Sequence, residues 1–88
     1  MPVISVFFGI VVRMFHQDHN PPHIHVQYGE YNAIVAIKTT KLLHGKLPPR
    51  VLKILREWMG LRKSELELAW AKATVMKNPN RIKPIDEE

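Results

Sequence analysis

Cysteine is absent from the 88 residues. This excludes disulfides and thiolate metal sites, so any metal would have to be held by His, Asp, Glu or water. Acidic residues are in the minority: eight Asp and Glu stand against thirteen Lys and Arg, a net charge of +5. Such a balance favours polyanionic or acidic partners through Coulomb steering and makes nucleic acid a candidate partner. No RGG tract and no Arg–aromatic interleaving accompanies the charge. A long apolar run is also missing, because Arg13 interrupts the stretch from Val3 to Phe15 before it could span a bilayer. No basic leader precedes that stretch, so the expected location is the cytoplasm, without membrane attachment. Repeats and low-complexity tracts are absent as well.

What the chain does have is an ordinary globular share of hydrophobic residues, 45%. At this length it forms one domain near the lower limit for a self-sufficient core, which makes a homodimer plausible. The expected organisation is one domain over residues 1–77 and an extended or mobile tail over 78–88.

Residues 3–15 are apolar in both alternation phases. They predict a single central strand covered on both faces, bent at Gly9. A second strand is expected over 23–28. After it, Gly29-Glu30 between two tyrosines has the form of a two-residue type II′ turn. That turn sets a register in which Tyr28 faces Tyr31, Val26 faces Ala33 and Ile24 faces Val35. One face then carries Ile24, Val26, Tyr28, Tyr31, Ala33, Val35 and Ile37. The other carries His23, His25, Gln27, Asn32, Ile34, Ala36 and Lys38. Gly29→Val is expected to be the most damaging change within the turn, because a β-branched residue resists positive φ. A short strand near Leu42 to His44 would extend the sheet.

Pro48-Pro49 then opens a helix with an apolar stripe of Val51, Leu52, Leu55, Trp58 and Met59. Gly60 is a candidate C-cap. Ser64-Glu65-Leu66-Glu67 fits a capping box for a second helix, whose stripe is Leu66, Ala69, Trp70, Ala73 and Met76. Strands first and helices second predict an α+β fold: an antiparallel meander of three to four strands with two helices packed on one face. Trp58 and Trp70 read as core. The scattered basic residues argue against a DNA-reading helix-turn-helix.

The segment with the most chemistry is Asp18-His19-Asn20-Pro21-Pro22-His23-Ile24-His25-Val26, with His16 just before it. Alternate residues of a strand point the same way, so His23 and His25 could both reach one divalent ion. His16, Asp18 or His19 could add a third ligand. A metal-free alternative uses His19, His23 and His25 as hydrolytic or nucleolytic acid and base. Asp18 or Glu30 would orient an imidazole, and Arg13 or Lys38 would face a phosphate. The blander alternative is that the histidines bond neighbouring strands while Asp18 and Asn20 close a tight loop. His44 stands alone in the sequence and reads as ordinary surface.

These residues carry a resemblance. Phe8-Gly9-Ile10, the Asp18-to-Val26 string, Tyr28-Gly29-Glu30-Tyr31, Gly45-Lys46-Leu47-Pro48 and Glu57-Trp58 are similar to the small bacterial family known as domain of unknown function 4160. The similarity runs over roughly residues 3–75, and His16 lies outside the string. The family has no established general activity. Its members resemble small proteins of mobile elements and paired operons, and some relatives are described as toxins of toxin–antitoxin pairs. The resemblance therefore implies a small, neighbour-encoded protein partner. A separate alternative, drawn from the residues, is a non-catalytic interaction domain in which Pro21-Pro22 and the histidines shape a binding surface.

Overall fold

A computed structural model describes residues 3–16 and 19–86. Five strands are followed by two helices: β1 Val3–Phe7, β2 Ile10–Arg13, β3 His23–Tyr28, β4 Tyr31–Ala36, β5 Leu42–Gly45, α1 Pro49–Leu61 and α2 Lys63–Thr74. The strands form one antiparallel sheet whose spatial order is the chain order. The α+β class is as the sequence predicts, but the meander has five strands rather than three to four.

The extra strand comes from the N-terminal run, which is a hairpin and not one bent strand. Phe8 and Gly9 take φ of 50° and 79°, the paired left-handed conformation of a type I′ turn. Phe7 then faces Ile10 and Val6 faces Val11. The two apolar phases that suggested a doubly covered strand are thereby split between two neighbours, one of which is the sheet edge. The β3–β4 hairpin follows the predicted register residue for residue, from His23 opposite Ala36 to Tyr28 opposite Tyr31. Gly29 has φ of 57° and Glu30 is not left-handed, as a type II′ turn requires.

Ile24, Val26, Ala33 and Val35 are buried in the core face of the sheet, together with Ile4, Phe7, Ile10 and Val12. Val51, Leu55, Trp58 and Met59 of α1 and Leu66, Ala69, Trp70 and Ala73 of α2 belong to the same apolar cluster. The Phe7 and Trp58 ring centroids lie 5.0 Å apart. Both proposed caps are absent. Gly60 lies inside the last turn of α1, and Ser64 lies inside the first turn of α2, where no side chain caps the helix. Only Arg62 separates the helices. The backbone bonds Arg62 N–H to Trp58 O and Leu66 N–H to Arg62 O carry the helical pattern through it.

The segment after α2 is extended and docked. Ile82 is buried and donates its N–H to Ile4 O at 2.7 Å, while Lys83 O accepts from Trp58 Nε1 at 2.8 Å. One core position is at odds with its surroundings. The Ser5 Oγ is fully buried with no hydrogen-bond partner among the described residues. A hydroxyl desolvated without compensation costs stability, so Ser5→Ala is expected to raise stability by about 1 kcal/mol. A urea midpoint at or below that of the parent would show that Oγ finds a partner in solution.

Candidate functional site

The face of the sheet turned away from the core is built from one residue per strand. Arg13 pairs with His25, His25 with Ile34 and Ile34 with His44. Directly opposed residues of neighbouring strands share a face, so these four form a row across β2, β3, β4 and β5. The adjacent row is Val6, Val11, Gln27 and Asn32. Burial separates the two faces. Val26 and Val35 are 2% and 0% exposed, whereas Arg13, His25, Gln27 and Ile34 are half-buried and Val6, Asn32 and His44 exposed.

A cavity of about 470 Å³ opens on this face, with Arg13, Phe15, His25, Ile34 and His44 among its lining residues. Gln27 and Asn32 supply amides to the same wall. Arg13 donates from Nη1 to Gln27 Oε1 at 2.8 Å, which fixes the guanidinium along the sheet. The His25 ring meets the edge of Phe15 at a centroid distance of 4.1 Å.

The predicted histidine segment is placed as follows. His23 and His25 share a face, with ring centroids 5.1 Å apart, and the exposed His19 ring lies 5.4 Å from His23. The three imidazoles thus form a series from the loop to the cavity. His23 does not lie on an open surface, however. It is 3% exposed, its Nδ1 bonds to Pro21 O at 2.7 Å, and the Trp70 ring stands 5.2 Å away. Trp70 belongs to the core and also covers the end of β3 where His23 begins the strand. His25, one pleat further along, reaches the cavity. Asp18 lies outside the described residues. His16 Nε2 is buried with no hydrogen-bond partner among them. Glu30 and Lys38 are exposed in turns and do not line the cavity.

No group of three or more His, Asp or Glu among the described residues is placed to hold a metal ion. What the open face offers is an arginine fork, two imidazoles and two amides over an apolar floor. That set can bind anionic groups and can give or take protons. His44, read from the sequence as ordinary surface, is exposed and lies in the same row as Arg13, His25 and Ile34. Its place depends on β5, where Ile34 pairs with His44 but Val35 pairs with Leu42, leaving Leu43 as an extra residue. Simple alternation cannot reveal such a bulge.

A protein-family model, Domain of unknown function (DUF4160), matches residues 9–71. No curated protein and no solved structure matches the chain. The family match covers β2 to β5, α1 and most of α2, and with them the histidine segment and the open row; the chain belongs to the DUF4160 family.

Proposed function

We propose that this protein is one component of a two-gene, toxin–antitoxin-like module and acts through a protein partner that seats on the open face of the sheet. The observation that carries this reading is the asymmetry of the sheet. Helices and tail build the core on one side, while the other side presents Val6, Val11, Phe15 and Ile34 among Arg13, His25 and His44. Apolar residues rimmed by polar ones on an accessible face are a feature of interaction surfaces. The net charge of +5 favours an acidic partner. The paired-operon setting of similar proteins supplies the natural candidate, the small protein encoded beside it.

Co-expression with the adjacent reading frame is expected to yield a stable complex and to relieve a growth defect caused by this chain alone. Ile34→Asp places a charge at the centre of the row. It is expected to weaken the complex by about tenfold or more, equivalent to roughly 1.4 kcal/mol, while leaving the circular dichroism spectrum unchanged. Failure of the two products to associate, with no growth effect on induction, would overturn the reading.

A further inference from the structure

The geometry points to a binding site for a nucleoside phosphate unit, free or within a single RNA strand, in the cavity of the open sheet face. The inference rests on the cavity; because the proposed partner would cover the same residues, nucleotide and partner are expected to compete for this face. A volume of about 470 Å³ falls within the range of small-molecule sites, which pair an apolar lining with a few polar groups. Here the lining is Phe15 and Ile34, and the polar groups are Arg13, His25, His44 and the Gln27 and Asn32 amides.

Each part suits one part of such a ligand. Arg13 spends one donor on Gln27 Oε1, and a guanidinium has five donors in a planar fork suited to phosphate oxygens. Gln27 accepts from Arg13 at Oε1, so its amide N–H groups are donors towards the ligand, and Asn32 on the next strand offers both a donor and an acceptor. Paired amides of this kind match the mixed edge of a nucleobase. Ile34 and Phe15 give the flat ring an apolar seat.

Spacing argues against a lone inorganic ion. Arg13 and His44 are three strands apart in the same row, which is about 14 Å at roughly 4.8 Å per strand. A ligand that engages both must extend across the sheet. A nucleotide with its phosphate at one end does so, and so does a strand with successive phosphates. The series His19, His23, His25 enters this cavity at its His25 end.

The test titrates the isolated protein with adenosine 5′-monophosphate, with a single-stranded oligoadenylate RNA octamer and with inorganic phosphate, followed by backbone amide NMR shifts. Shifts are expected to centre on residues 25–27, 32–34 and 44–45 for the first two probes. Arg13→Met is expected to weaken binding by about tenfold and His44→Ala by about fivefold. Lys53→Met, which removes one charge from the exposed side of α1, should leave binding unchanged. His44 is exposed, so its variant remains informative even if Arg13→Met disturbs the fold. An octamer that binds more tightly than the mononucleotide, with an affinity falling steeply with salt, assigns the site to a strand. Equal affinities assign it to the free nucleotide. The inference is overturned if neither nucleotide shifts these amides at millimolar concentration. It is equally overturned if inorganic phosphate binds as well as both, or if Lys53→Met loses as much affinity as Arg13→Met.

Discussion

Gly45→Ala is expected to cost roughly 3–5 kcal/mol, from left-handed backbone strain and overpacking together. Gly45 has φ of 76°, a region that L residues with a side chain rarely adopt. An added Cβ would stand 2.1 Å from Asn32 O and 3.0 Å from Ala33 Cα. Both are backbone atoms of β4, so no rotamer change relieves the overlap. The strand must move, and with it the bond from Lys46 N–H to Asn32 O at 3.1 Å. Gly29 provides the internal control. It too is left-handed, at 57°, but a Cβ there meets nothing within 4 Å, so Gly29→Ala should cost only about 1–2 kcal/mol. Urea denaturation of the two variants beside the parent measures the difference. Equal losses would mean that β5 shifts away from Asn32 at little cost. Because Gly45 adjoins His44 in the cavity wall, the same substitution should also abolish nucleotide-induced shifts there.

Trp58→Ala is expected to lose a comparable amount, roughly 3–5 kcal/mol by the precedent of large-to-small core changes. Trp58 is the largest of the fully buried side chains. Its ring packs on Phe7 across the helix–sheet boundary, and its Nε1 holds the tail through Lys83 O. Domains of this length have total stabilities of roughly 4–13 kcal/mol, so the variant should be marginal at room temperature. Trp58→Phe separates the two contributions. It keeps most of the apolar packing and removes the hydrogen bond, at a cost of about 0.5–1.5 kcal/mol. Arg62 Nε still donates to Lys83 O at 3.2 Å and Arg62 Nη2 to Pro84 O at 2.9 Å, which cushions the loss. Hydrogen exchange at the Ile82 amide should quicken in both variants, since that amide is bonded to Ile4 O. A Trp58→Ala midpoint within about 1 kcal/mol of the parent would mean that the core refills the space.

How far the fold could be read in advance depended on whether each signal was local. The β3–β4 register was legible because Gly29-Glu30 names its turn type and the flanking residues alternate cleanly in burial preference. The first hairpin was not, since its turn puts a phenylalanine at positive φ, a choice that propensity does not announce. The docking of the tail was hidden for another reason. Asn78-Pro79-Asn80 stops a helix convincingly, yet nothing nearby says that Ile82 will find Ile4. The site divides in the same way. His23 and His25 could be placed on one face from strand periodicity alone. That Trp70 covers His23 depends on where α2 comes to rest, and that His44 joins Arg13 and His25 depends on one bulged residue and a glycine pressed against a neighbouring backbone.

The contact between Ile82 and Ile4 has a bearing on solubility. β1 is an outer strand of the sheet, and an outer strand with unused backbone donors and acceptors invites pairing with strands of other molecules. The apolar residues Ile4, Val6 and Phe7, with few charges nearby, are the kind of sequence that stacks. The Ile82 N–H takes up Ile4 O on this strand, and residues 79 and 84 are prolines, which have no N–H to offer an incoming strand. That contact removes one backbone acceptor of β1 from the reach of a second strand.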